Sequence, residues 1–139
     1  MRTPVTLEDL LFLEPGTILS TIKPDGGVEH FGALTGRHLF GMPPTIISAS
    51  KFRQTVVEEL PLQFSFGAPI YAHGVWSNQP WQETIRKARS QLGQPYRLFG
   101  NNCEHFVRFC HGLPPESPQL AGAVGVAIVA GIVLWALAA

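Results

Sequence analysis

The sequence predicts an α+β domain with a small antiparallel sheet and packed helices, followed by a C-terminal transmembrane helix. Three observations carry that expectation. Short apolar runs separated by Gly/Pro turns fill the first half, and apolar residues recur at helical spacing in the second. The last twenty residues, 120–139, contain no charged side chain. At about 1.5 Å of rise per residue a helix of that length covers a hydrocarbon core of about 30 Å.

The elements follow in order. Thr6 is placed to cap a short helix ending near Leu13, and Pro15-Gly16 break it. Thr17 to Ile22 and Val28 to Thr35 read as strands, joined by Lys23-Pro24-Asp25-Gly26-Gly27, which offers a fixed φ and glycines tolerant of positive φ. His30 therefore falls on a strand. Gly36-Arg37 form the next turn and put His38 early in a short strand that Pro43-Pro44 end. Ile46 to Ser48 and Thr55 to Leu60 are further strands.

After a loop rich in Gly, Pro and aromatics, Ser77 or Asn78 is placed to cap a helix. Pro80 suits its first turn, Trp81, Ile85, Ala88 and Leu92 mark its apolar face, and Gly93 stops it. A last helix begins at Asn101-Asn102-Cys103-Glu104, with an Asx cap three residues before a glutamate. Cys103, Phe106, Val107 and Cys110 line its buried face, and Gly112 and Pro114-Pro115 end it. The organisation expected is a catalytic domain over 1–115, a linker over 116–119 and an anchor over 120–139.

Composition excludes several classes. Ten basic residues balance ten acidic ones, so no summed positive field draws the chain to nucleic acid. The two cysteines, seven residues apart, would sit roughly 10 Å apart along one helix, beyond disulfide reach, and read as reduced thiols of a cytosol-facing domain. Acidic residues and a proline near the N-terminus do not fit a secretory signal. All Lys and Arg precede the apolar span, which orients the domain to the cytoplasmic side as a single-pass, tail-anchored membrane protein. His30, His38, Cys103 and His105 lack the close paired spacing of most zinc sites, and neither a metal nor a cofactor is expected. Nothing in the sequence selects an oligomeric state.

The chemistry centres on Cys103. At a helix N-terminus, free amide donors and the positive dipole end favour a thiolate and suit an oxyanion. His30, on a strand beneath that helix, is the candidate general base, and His38 is the residue to orient it. His105 points elsewhere on the helix, and His73 and His111 have no supporting context. Trp76, Trp81, Phe64, Phe66 and Tyr71 either line an acyl pocket or fill the core, and core filling is the commoner role for such residues.

The stretch from Tyr96 to Val107 resembles the Y-x-L-x-x-x-N-C-E-H-F-V signature of the lecithin:retinol acyltransferase-like proteins, which include the H-rev-type phospholipase/acyltransferases. Glu14 to Thr17 is similar to that family's P-G-D/T opening, and His30 to Gly36 to its H-W/Y-A-I-Y-x-G strand. The resemblance implies a circularly permuted NlpC-type papain-like fold with Cys103 as nucleophile, His30 as base and His38 as the polar third member. The two histidines are eight residues apart, an interval that a shorter hairpin explains. Phe31 keeps the aromatic character of the family position, and Gly32 for Ala reads as a small change. The activity implied is acyl transfer from a glycerophospholipid through a Cys thioester to water or an amine. Rival readings are a papain-like amidase or peptidase, and a membrane-bound interaction protein without catalysis.

Overall fold

The computed structural model describes residues 3–22, 29–36, 44–97 and 102–114. His38, the 116–119 linker and the 120–139 span lie outside these residues. Among the described residues no helix is long and apolar enough to cross a membrane.

The described residues form one antiparallel sheet with the order β1-β6-β2-β3-β4-β5. Its strands are β1 (Thr3–Val5), β2 (Ile18–Thr21), β3 (His30–Leu34), β4 (Ile46–Ser50), β5 (Thr55–Glu59) and β6 (Ile70–Ala72). The helices are α1 (Pro61–Ser65), α2 (Trp81–Ser90) and α3 (Cys103–Cys110). The α+β class and the strands expected around residues 17–22, 28–35, 46–48 and 55–60 are all present. Strands β1 and β6 and helix α1 were not anticipated. β1 and β6 are three residues long, too short for a period-2 pattern, and they pair only across long stretches of chain.

Alternation along the strands divides the core into two layers. On one face Ile18, Phe31, Ile47, Ala49 and Val56 pack against Ala88 of α2 and Cys103, Phe106, Val107 and Cys110 of α3. On the other, Leu19, Leu34, Ile46 and Ile70 pack with Leu10 and with Phe64 of α1. β2, β3 and β4 are covered on both faces and buried at every position, their polar residues Ser20, Thr21, His30, Ser48 and Ser50 included.

Local chemistry explains the element ends. Thr6 N–H donates to Asp9 Oδ2 at 2.9 Å and Asp9 N–H to Thr6 Oγ1 at 3.2 Å, a reciprocal cap on a single 3-10 turn, Asp9–Leu11, shorter than the helix expected. At the Pro15-Gly16 break Gly16 takes φ +86°. Helix α2 starts after Pro80 without a side-chain cap. Of the two residues expected to cap it, Ser77 and Asn78, Ser77 instead bonds His111 Nδ1 at 3.0 Å. Helix α3 is capped by Asn102, whose side chain accepts from His105 N–H at 2.9 Å. Asn101, the residue three before the glutamate, lies outside the described residues.

Candidate active site

Cys103 is the first residue of α3 and is buried, 5 % exposed. Its i+3, i+4 and i+7 neighbours Phe106, Val107 and Cys110 are also buried, as the helical spacing predicts. Helix α3 packs on β3 and β4, so the sulfur meets the sheet where those strands part company. β3 pairs with β2 over four residues, from Thr21↔His30 to Ile18↔Ala33. With β4 it pairs only at Ala33↔Ile47 and Leu34↔Ile46 among the described residues.

The parting leaves an edge for the sulfur. Leu34 N–H donates to Thr17 O on the β2 side and Thr35 N–H to Thr45 O on the β4 side. The peptide groups of odd-numbered residues in this segment therefore face β4, those of Glu29 and Phe31 included. Cys103 Sγ sits at that edge. Its thiol donates to Glu29 O at 3.9 Å, and the Phe31 N–H, with the amides of Cys103 and Glu104 at the start of α3, favours the ionised sulfur.

These donors do not win. Burial pushes the Cys103 thiol up to about 11, and the nearby Glu104 carboxylate adds to the rise, so at neutral pH the group is a thiol. The amides act in the expected direction, but desolvation of a sulfur sealed between helix and sheet outweighs them. Burial raises Cys110 as well, to about 12, and both cysteines are free thiols.

His30 begins β3 and is 9 % exposed. Its ring lies 4.9 Å from that of Phe64, on the sheet face opposite α3. Nucleophile and expected base thus adjoin one strand segment, but in this arrangement the thiol hydrogen-bonds to a peptide carbonyl and the imidazole packs on a phenyl ring. Gly32, two residues along on the same face, makes this possible. A Cβ there would lie 2.6 Å from Ile46 Cγ2 and 2.9 Å from Phe64 Cε1. The glycine is therefore a packing requirement here and not a small change.

No local pattern singles out a polar cluster formed by Ser20, Glu29 and His73. Ser20 Oγ donates to Glu29 Oε1 at 2.7 Å and lies 2.6 Å from His73 Nε2, which is 3.7 Å from Glu29 Oε1. The Phe31 ring, in the same apolar layer as Cys103, is 5.3 Å from the His73 ring. Trp76 packs edge-on to His73 at 6.4 Å, with the Arg108 guanidinium over its ring at 5.8 Å. His73 reaches this place because β6 pairs with β2, a contact between segments about fifty residues apart that no local pattern announces. His105 is buried in α3. Among the described residues no group of His, Cys, Asp and Glu is arranged to hold a metal ion.

The profile of the family described as lecithin retinol acyltransferase matches residues 25–112, which include His30, the β3 edge and Cys103. A lecithin retinol acyltransferase from Rattus norvegicus is 36% identical over 84 residues, covering 56% of this chain and 35% of that protein. One from Homo sapiens is 35% identical over 80 residues, covering 53% and 33%. One from Bos taurus is 49% identical over 39 residues, covering 27% and 17%. The chain spans about a third of the length of the first two relatives.

Proposed function

Because the chain belongs to the lecithin retinol acyltransferase family, we propose that it is a thiol-dependent acyltransferase or phospholipase acting on glycerophospholipid. The observation that carries the reading is the seat of Cys103, a buried sulfur at the first turn of a helix with three backbone amides directed at it. Such donors suit the oxyanion of a tetrahedral intermediate. A nucleophile-bearing helix laid on an antiparallel sheet also accords with a circularly permuted papain-like architecture of the NlpC type.

In the proposed reaction the Cys103 sulfur adds to the ester carbonyl and its proton passes to an imidazole. The C–O bond to the glycerol oxygen breaks, the departing alcohol takes up that proton, and a thioester remains. Water or an amine then attacks the thioester, releasing a fatty acid or an amide and restoring the thiol. The imidazole is assigned to His30 from its place in the family pattern, with His38 to orient it. Seated against Phe64, the His30 ring has to leave that contact to reach the sulfur, so re-seating of His30 on substrate entry is part of the proposal. Residues 120–139 would anchor the domain at the cytoplasmic face of the membrane that holds its substrate.

One observation favours a rival, a membrane-bound interaction protein without catalysis: a thiol raised to about 11 is poorly nucleophilic at neutral pH. Intact-mass spectrometry of the full chain incubated with phosphatidylcholine vesicles separates the two. An acyl-sized adduct that is lost in Cys103→Ala and released by hydroxylamine is the expected result. Neither adduct nor lipid turnover across a range of pH would overturn the acyl-transfer reading.

A further inference from the structure

Glu29 touches the site twice. Its carbonyl accepts from the Cys103 thiol, while its carboxylate turns away towards β2 and β6. With Ser20 Oγ–H donating to Glu29 Oε1, the hydroxyl's lone pairs are left to accept from His73 Nε2–H at 2.6 Å. A continuous chain results, from His73 through Ser20 to the Glu29 carboxylate, and then through the Glu29 backbone to the sulfur. Ser20 is wholly buried, and the Glu29 and His73 side chains are largely covered.

The position of this chain gives it consequence. Glu29 precedes β3, and among the described residues β3 pairs with β4 only further along, at Ala33 and Leu34. The segment nevertheless holds a carbonyl against the sulfur and, two residues on, the amide of Phe31. A side-chain tether to two other strands restrains that segment.

We infer that Glu29, tethered by Ser20 and His73, is a positioning residue that holds the start of β3 against the Cys103 sulfur. It acts through the backbone and does not itself touch substrate. The inference rests on Cys103 as the nucleophile of the proposed reaction, but the geometry it describes is measurable without that reaction.

The test uses the full chain and two readouts: the infrared S–H stretching band of Cys103, assigned by its loss in Cys103→Ser, and kcat and KM on phosphatidylcholine vesicles. Glu29→Ala and Ser20→Ala are expected to move the band towards that of a more weakly hydrogen-bonded thiol. They should also lower kcat about tenfold with KM changed less than about twofold. Glu29→Gln, which keeps an oxygen for Ser20, should restore both. An unmoved band in the alanine variants overturns the inference. If circular dichroism shows Glu29→Ala unfolded, the smaller change Ser20→Ala decides alone. A wild-type chain without lipid turnover overturns the acyl-transfer reading instead, and the band still decides the tether.

Discussion

His111 Nε2–H donates to the carbonyl of Gly16 at 2.8 Å, joining residues 95 apart in the chain and tying the end of α3 to the turn before β2. The other nitrogen, Nδ1, then accepts from Ser77 Oγ–H at 3.0 Å, which fixes the neutral tautomer. Burial lowers the His111 pKa, with the Gly16 hydrogen bond opposing it. As pH falls through the ordinary histidine range the unfolded chain takes up a proton that the folded chain refuses, so stability falls with it. Melting temperature followed between about pH 8 and pH 5 should drop, and His111→Gln should flatten that acid slope.

The raised thiols give the opposite limb. Above the ordinary cysteine value of 9.0 the unfolded chain loses protons that Cys103 and Cys110 retain to about 11 and about 12. The folded state then binds more protons, and stability falls as pH rises through this window. Denaturant midpoints measured at increasing alkaline pH should show the loss, smaller in Cys110→Ala than in the wild type. In the same window the rate of Cys103 alkylation by iodoacetamide should keep rising past pH 9, with no plateau at neutral pH.

Gly32→Ala is expected to destabilise the fold by about 1–3 kcal/mol, since the added Cβ meets Ile46 and Phe64 inside contact distance. The displaced Phe64 would also lose its packing on His30. Chemical denaturation measures the first effect, and a change in the His30 ring resonances by NMR the second.

Ser48 is wholly buried on β4, and among the described residues its hydroxyl has no hydrogen-bond partner. Ser48→Ala removes that uncompensated group at little cost in volume. It should raise stability by up to about 1 kcal/mol, read as an increase in thermal midpoint.

Much of this architecture could be read from local pattern. Pro15-Gly16, the helical recurrence from Trp81 to Ala88 and that from Cys103 to Cys110 each act within a few residues, where sequence carries the signal. The place of Cys103 in the first turn of α3 was legible for the same reason. Its charge state was not, because the outcome depends on how closely the sheet seals the sulfur, a tertiary quantity. The side to which His30 turns depends on strand register, which a one-residue shift inverts. Ser20 and Glu29 carry no local signal and His73 has no supporting context in the sequence, because the three meet only through the β2–β6 and β2–β3 pairings.

The peptide groups around the Cys103 sulfur bear on how this protein tolerates variation. An acceptor from Glu29 and donors from Phe31, Cys103 and Glu104 belong to the main chain, so no amino-acid exchange other than to proline deletes one of them. Damaging substitutions should then map less to side chains touching the sulfur than to residues that hold two stretches of backbone in place. A survey of variants would find its most sensitive positions scattered around the sulfur, at caps, tethers and close-packed glycines, and not among the side chains that touch it.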